Sequence, residues 1–504
     1  MSASEGGLPE HVDVVVVGAG LSGVGAGYRL QTECPERSYL ILEARGELGG
    51  TWDLFRYPGI RSDSDMFTLG YAFKPWRDAK SIADGPAILR YIHETASEFG
   101  IDDRIVYGTK VVGADWSSTE LRWTLTVQQG DRALSMTCDF VYLCAGYYDY
   151  DQAYTPFFPR EDDFAGPIVH PQFWPDDLDY VGKRVVIIGS GATAVTLVPS
   201  MASASTHVTM LQRSPTWISA VPSRDARADW LRRRLPEGLA HHVVRAKNVV
   251  FNIGFYQFCQ RLSSRARRLL TDQATRILGD EAMVAEHFTP AYRPWDQRLC
   301  AAPGADFFKA IKSGHADVVT DTVAEFVTDG IRLTSGRVLP ADIIVTATGL
   351  KLRTFGGIGP TIDGEAVEFA DEFVWNGAMV SGIPNFAFCV GYTNASGTLR
   401  ADLSSRLVCR VLNRTRDKRI RAVVPRPTES MAPRPLFGLT SGYVQRSVAE
   451  FPNQSTKSPW RTRQNYLLDA LALRINNFDS TLRPVTPASR SADGLQVTQT
   501  GFSQ

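Results

Sequence analysis

Apolar positions cluster along this chain in short β-branched runs that alternate with helically spaced segments. Val12–Val17 is such a run and predicts a buried strand; Leu21–Gln31 then reads as a helix, and Tyr39–Leu42 predicts a second strand ending at Glu43. Strand, glycine turn, helix, strand and acidic end make a βαβ nucleotide-binding unit. A second unit starts at Arg184–Ile188 and returns at His207–Gln212. Between the two, Ile105–Ala114 and Arg122–Val127 predict strands of a smaller sheet, and Phe140–Cys144 predicts an apolar strand closing at Ala145-Gly146. From about 224 to 286 strand character disappears and long, Arg-rich helical sequence takes over, which predicts a helical insertion within the second unit. Asp317–Thr320, Ile331–Leu333 and Ala341–Thr346 return to strand, and Thr398–Leu412 predicts a helix. The last stretch, 484–504, is rich in Ser, Thr, Gly and Pro and predicts a poorly ordered tail.

Length and composition narrow the class. A chain of 504 residues is too long for one core, and 44% hydrophobic with 21% charged residues is an ordinary globular balance. Lys plus Arg equals Asp plus Glu at 54 each, which gives no argument for a nucleic-acid partner. The seven cysteines are scattered, odd in number and lack a C-x-x-C pair. That argues against a disulfide framework and against a dithiol redox centre. No bound metal is expected. The N-terminal MSASEGGLPEHVD lacks the features of a signal peptide, and no apolar run is long enough to span a bilayer, so the expected location is cytoplasmic. Arg224–Arg276 carries twelve Lys or Arg against four Asp or Glu, interleaved with Trp230, Val249–Phe251 and Phe255–Phe258. Such a segment reads either as a solvated helical face covering a substrate tunnel or as a peripheral surface for anionic lipid.

Two glycine-rich loops carry the first chemistry. In Gly18-Ala-Gly20-Leu-Ser22-Gly23 the glycines give a tight turn, room for pyrophosphate and close helix–strand packing. The helix after it offers free N–H groups and a positive dipole end to phosphate. Glu43 stands where a carboxylate accepts hydrogen bonds from a ribose diol. Gly189-Ser190-Gly191-Ala192-Thr193-Ala194 repeats the loop in its G-x-G-x-x-A form. After the strand that follows it, Arg213-Ser214 replaces the expected acidic residue, and an arginine there pairs with a 2′-phosphate, favouring NADPH over NADH.

The segment between the loops is the most specific feature. Phe164-Ala-Gly166-Pro-Ile-Val-His170-Pro-Gln-Phe-Trp174-Pro175 has the pattern F-x-G-x-x-x-H-x-x-x-W-P, and it resembles the signature of Baeyer–Villiger monooxygenases. Gly49-Gly-Thr51-Trp52-Asp53-Leu54-Phe-Arg-Tyr-Pro-Gly-Ile-Arg61-Ser62-Asp63 resembles a second motif of that family. Longer segments, among them VVIIGSGATAVTLVP and PWDQRLC, resemble its ethionamide-activating actinobacterial subgroup. The resemblance implies an α/β fold of two Rossmann-like domains. An NADPH domain at 151–340, with its helical insertion, interrupts an FAD domain at 1–150 and 341–483.

The resemblance also implies site roles. Thr51, Trp52, Asp53 and Leu54 would line the flavin, with Asp63 near its reactive edge and Val111 presenting its backbone to the adenine. Arg61 and Ser62 would lie toward NADPH. Arg298, in Pro294-Trp-Asp-Gln-Arg298-Leu-Cys300, is the expected catalytic arginine. It would stabilise an anionic C4a-peroxyflavin formed with dioxygen, because arginine stays charged under all relevant conditions, and Asp63 would steady it. Phe164, Gly166, His170 and Trp174 would couple the domains, while Asn394 and Gly397 would border the substrate. The implied reaction is NADPH- and O2-dependent conversion of ketones to esters or lactones, with sulfoxidation as a side activity. The alternative is a flavin monooxygenase acting on nitrogen or sulfur nucleophiles. Its linker motif usually has Tyr or Phe in place of Trp174-Pro175, and it lacks a counterpart of Arg298. Two departures stand out. Gln297 replaces a lysine that often helps hold the 2′-phosphate, and Gly397 and Arg400 stand where the subgroup tends to carry Trp and Lys, which enlarges the cavity.

Overall fold

A computed structural model describes residues 7–297, 299–438, 440–476 and 478–488. Its frame is two sheets. In the first, His11–Val17 is almost wholly buried and pairs in parallel with Tyr39–Leu42 on one side and with Arg132–Leu143 on the other. Arg132–Leu143 is long enough to serve two partners. Its first half runs antiparallel to Arg122–Gln129, and its end runs parallel to Phe386–Phe388. The smaller sheet expected from Ile105–Ala114 and Arg122–Val127 is therefore continuous with the nucleotide-binding sheet, eleven strands in all. The expected strand at Ile105–Ala114 is also broken. Ile105–Val106 closes one edge beside Tyr39–Leu42; the chain turns at Gly108, and Thr109–Ser117 pairs with Arg122–Gln129 instead.

The second sheet has five parallel strands in the order Ala316–Thr320, His207–Gln212, Arg184–Ile188, Ile343–Thr346 and Ile168–Val169. Its edge strand comes from inside the F-x-G-x-x-x-H segment, where hydropathy alone gave no strand. Ile168 and Val169 pair with Ile344 and Val345, which leaves His170 at the carboxyl edge of the sheet. Open parallel sheets bind ligands at this edge.

Two chain crossings join the sheets, and they pair with each other. Tyr148–Ala153 leaves the first sheet antiparallel to Leu350–Leu352, which returns from the second. Thr348 Oγ1 donates to the Tyr154 carbonyl at 3.0 Å, and Arg353 forms an ion pair with Asp151 at 3.2 Å.

The insertion is helical, with helices at Ala226–Arg234, Glu237–Arg261, Ser263–Leu278 and Glu281–His287. Its long second helix is fastened to the first unit rather than only to the sheet it interrupts. Buried Arg245 donates to the carbonyls of Phe67 (2.9 Å) and Gly70 (2.7 Å), at the end of the short helix Met66–Leu69. A cation suits that negative end of a helix dipole. Asn248 and Asn252 donate to Asp65 at 3.1 and 3.2 Å. Trp230, Val250 and Phe251 face outward. Among the described residues no helix is long and apolar enough to cross a membrane.

At the far end, Leu482–Pro484 pairs with Val423–Pro425, and the amides of Val485 and Ala488 donate to Ala422 and Ser118. The rest of the tail expected from 484 lies outside the described residues.

Candidate functional site

A cavity of about 530 Å³ opens at the carboxyl edge of the first sheet. Gly18, Gly20 and Ser22 line it from the glycine loop, Glu43 from the end of the second strand, and Val111 from the strand Thr109–Ser117. The pairing slips at Val111–Gly113, and a bulge of this kind re-aims backbone beside a site. Thr51, Trp52, Ser62 and Asp63 line the cavity from the second motif; Ser396, Gly397, Thr398 and Ala401 line it from the start of the helix Gly397–Asp417. That helix begins one residue earlier than hydropathy predicts and runs five residues further, so its amino end faces the cavity.

Local geometry explains the loop residues. Gly18 has φ +99°, and a methyl there would meet the Cys144 carbonyl at 2.8 Å. Gly189 repeats the arrangement with φ +135° and the Ala347 carbonyl at 2.2 Å. In each unit the first loop glycine passes beneath the end of a neighbouring parallel strand, a place with no room for a Cβ. Gly23 sits within the helix Leu21–Glu33, where it is buried against the strand end, and Ala194 holds the equivalent buried place in the helix Ala192–Ala202.

Glu43 is buried, and its two carboxylate oxygens accept the amides of Ala19 (2.6 Å) and Arg45 (2.9 Å). Burial pushes its carboxyl above the ordinary glutamate value, against the lowering effect of those two amides. Each oxygen keeps a lone pair for a hydroxyl donor. The donor set therefore fits a dinucleotide: a glycine loop and helix end for pyrophosphate, a buried carboxylate for a ribose diol, and bulged backbone beyond it.

The second motif bridges the two units. Thr51 and Trp52 face the cavity, whereas Asp53 turns to Arg45 at 2.5 Å and Arg56 at 3.4 Å, and Leu54 packs against the apolar core of the second sheet. Tyr57 packs in the core of the second sheet together with Ala194 of the second glycine loop. Gly59 lies so close to the helix Ala192–Ala202 that an added methyl would overlap Ser200 Oγ. Arg61 forms an ion pair with Asp306, the first residue of the helix Asp306–Lys312, and Ser62 and Asp63 then return to the cavity.

The second loop is more open. Ser190 Oγ shares a 2.7 Å hydrogen bond with Thr216, and among the described residues no atom lies within 4 Å of where a Cβ on Gly191 would stand. Ala192 and Thr193 begin the helix. Arg213 and Ser214 are exposed just past the strand His207–Gln212. Among the described residues no carboxylate pairs with Arg213, so its guanidinium is available to a ligand.

The linker signature also has a structural place. Phe164 packs edge-on to Phe326, and Gly166 sits where a side chain would collide with the Asp342 carbonyl. His170 Nε2 lies 3.3 Å from the Gly349 carbonyl, and its Nδ1 accepts the amide of Gln172 at 3.1 Å. Burial lowers its pKa, so the ring is neutral and carries its proton on Nε2. His170 thus ties the linker segment to the returning crossing, and Trp174 packs on the core of the second sheet.

One expected residue falls elsewhere. Asn394 donates to the Gln464 carbonyl at 2.9 Å and borders a separate narrow gap beside Tyr256 and Tyr466, while Gly397 faces the main cavity. Arg298 lies outside the described residues. Hydropathy gave no sign of Tyr392, which also lines the cavity and donates to buried Asp469 at 2.8 Å. Among the described residues no cluster of three or more His, Cys, Asp or Glu could hold a metal.

Comparison with known proteins identifies relatives of this chain. Residues 16–79 match the NAD(P)-binding Rossmann-like domain family, and residues 78–230 match the family described as flavin-binding monooxygenase-like. The FAD-containing monooxygenase EthA of Mycobacterium tuberculosis is 53% identical over 474 residues, covering 94% of this chain and 97% of its own. Among solved structures, an oxidised steroid monooxygenase bound to NADP superposes with a TM-score of 0.70 at 24% identity, covering 83% of this chain and 88% of that one. OTEMO in complex with FAD and NADP gives 0.68 at 21% identity, covering 82% and 88%.

Proposed function

We propose that this chain, which belongs to the EthA family of FAD-containing monooxygenases, uses FAD, NADPH and dioxygen to convert ketones to esters or lactones and oxidises sulfides as a side activity. The observation that carries this reading is the segment Gly49–Asp63, which borders the cavity at both ends and packs on the second glycine loop and its helix in between. An oxygenating flavoenzyme needs such a joint, because reduction by one nucleotide must be followed by oxygen chemistry on the other.

In this reading residues 1–150 and 341–483 form the FAD domain and 151–340 the NADPH domain. Gly18, Gly20, Ser22 and Gly23 admit the FAD pyrophosphate, Glu43 accepts the ribose hydroxyls, and Thr51, Trp52 and the Val111 backbone border the rest. Asp53 and Leu54 act one layer back, Asp53 by fixing Arg45 and Leu54 by packing on the second core. The amino end of Gly397–Asp417 offers partial positive charge to an electron-rich ring. The second loop, Gly189 to Ala194, takes the NADPH pyrophosphate, and Arg213 with Ser214 takes the 2′-phosphate. Arg61 and Ser62 hold the nicotinamide side of the joint, Arg61 through Asp306. Phe164, Gly166, His170 and Trp174 fix the angle between the domains.

Bound FAD, once reduced, supplies the activated oxygen. Arg298 provides the fixed cation that keeps the transferring oxygen anionic and nucleophilic, and Asp63 positions that arginine. A developing anion in a water-poor cavity gains far more from a preorganised charge than it would in water. Gly397 leaves open space beside the helix start, since a methyl there would meet only the Gly391 Cα, at 3.7 Å. The substrate accordingly borders Gly397, with Asn394 behind it.

The test is Arg298→Ala. It retains FAD and some NADPH-driven flavin reduction but loses ester formation by about a hundred- to a thousandfold, with electrons diverted to hydrogen peroxide. Arg298→Lys rescues little, because an ammonium lacks the planar fork. Ester formation by Arg298→Ala at the wild-type rate would refute the assignment.

A further inference from the structure

The cysteines, scattered in sequence, are not scattered in space. Phe386–Phe388 pairs in parallel with Val141–Leu143, and the Cys389 amide donates to the Leu143 carbonyl at 2.8 Å. Cys144 and Cys389 therefore continue that register by one step. In-register residues of parallel strands point to the same face, and these two share one apolar core. Neighbouring strands lie about 4.8 Å apart, inside the roughly 4.4–6.8 Å Cα separation that a disulfide spans. Both residues line the 530 Å³ cavity.

We propose that Cys144 and Cys389 form a redox-modification site, at which hydrogen peroxide arising in the flavin cavity is reduced to water while the two sulfurs join as a disulfide. The inference rests on the reading that this cavity holds a flavin that reacts with oxygen, because turnover without an acceptor substrate releases hydrogen peroxide there.

The surroundings assign the two roles. The neighbouring Cys144 thiol, with help from the Tyr142 hydroxyl and the positive charge of Arg400, lowers the Cys389 pKa against the effect of burial. Burial pushes Cys144 in the opposite direction. Cys389 is thus the attacking sulfur and Cys144 the resolving one. The Cys389 thiolate attacks the peroxide O–O bond, becomes a sulfenic acid and releases hydroxide, which takes up the proton that Cys389 gave up. The Cys144 sulfur then displaces the sulfenic hydroxyl, and the Cys144 proton leaves with it as water. In sum, two thiols and one peroxide give one disulfide and two waters.

A second buried pair supplies an internal comparison. Cys34 Sγ donates to the Cys409 carbonyl at 3.6 Å, but these two residues sit where Leu21–Glu33 packs on Gly397–Asp417, outside the cavity lining. Cavity access therefore distinguishes the two sites.

The test uses FAD-loaded enzyme given NADPH and air without substrate, with catalase present to remove escaped peroxide. The protein is then denatured in an alkylating reagent and mapped by peptide mass spectrometry. The expected result is a Cys144–Cys389 linked peptide with Cys34 and Cys409 fully alkylated, and the same linkage when peroxide is added without NADPH or catalase. In Cys144→Ser the reaction stops one step earlier, and dimedone captures a sulfenic acid at Cys389. Alkylation of both cavity thiols after both treatments overturns the proposal, as does equally fast linkage of Cys34 to Cys409. Linkage by added peroxide but not by turnover keeps the thiol site and overturns the flavin as its source.

Discussion

Adding one methyl group at Gly20 separates what the ligand needs from what the fold needs. Gly20 has φ −77°, ordinary for any residue, and an added Cβ would lie 3.6 Å from the Gly50 Cα, a normal van der Waals contact. The protein accommodates Gly20→Ala, and a Gly→Ala change in a compatible conformation stabilises a chain by about 0.4–1 kcal/mol. The methyl nevertheless projects into the wall of the cavity where pyrophosphate would approach. Displacing one hydrogen bond to a charged phosphate costs about 1.5–3 kcal/mol, which at 1.4 kcal/mol per factor of ten is roughly a ten- to hundredfold loss of FAD affinity. Gly23 is the opposite case. A methyl there would stand 1.8 Å from the Gly18 carbonyl oxygen, so the helix itself must move. Overpacking of that kind costs about 1–3 kcal/mol with or without ligand. The assay is flavin absorbance of the purified variants, combined with thermal unfolding of flavin-stripped protein. Gly20→Ala should be pale with an unchanged or slightly raised apo Tm, and Gly23→Ala should have a lowered apo Tm. A Gly20→Ala protein with full flavin, or with an apo Tm as low as that of Gly23→Ala, would refute the reasoning.

At the second loop, Gly191→Ala meets open space in the protein, so NADPH binding should weaken by about tenfold or more while bound flavin and Tm stay unchanged; loss of flavin would assign the loop a different role. Arg213→Ala should weaken NADPH by roughly ten- to a hundredfold and leave NADH nearly untouched, measured as KM for each nucleotide, and equal losses would show that Arg213 serves the fold. The raised pKa of buried Glu43 favours its protonated form in flavin-free protein, so its contribution to apo stability is present at low pH and is lost as pH rises through the folded value. Ribose hydroxyls donate to the ionised form, so FAD affinity should be full above that value and fall as pH drops through it. Glu43→Gln should flatten the dependence, and a wild-type affinity that does not change with pH across the carboxylate range would contradict the role.

Backbone-driven features were legible in the sequence because they depend on residue type at fixed spacing. Gly18 and Gly189 must be glycine wherever a parallel strand end crosses the loop, and the Arg-rich run at 224–286 has only helical spacing available to it. Features that depend on distant partners were not legible. Ile168 and Val169 form a strand only because Ile344 and Val345 lie beside them, and two residues carry too little periodicity to register. Ile105–Ala114 reads as one strand, but Tyr107-Gly108 sends its halves to different neighbours. Cysteine spacing argued against a dithiol centre. The Cys144–Cys389 pair exists because two parallel strands, far apart in the chain, end side by side. Asp53 belongs to the expected motif, yet Arg45 draws its carboxylate away from the cavity, and hydropathy says nothing about such a choice.

Insertion of oxygen beside a carbonyl is decided by turnover of a ketone with NADPH under isotopically labelled dioxygen. Wild-type enzyme should yield an ester carrying labelled oxygen, and Arg298→Ala should yield labelled hydrogen peroxide with almost no ester. Wild-type enzyme that leaves ketones untouched while labelling only amines or sulfides would contradict the proposed insertion.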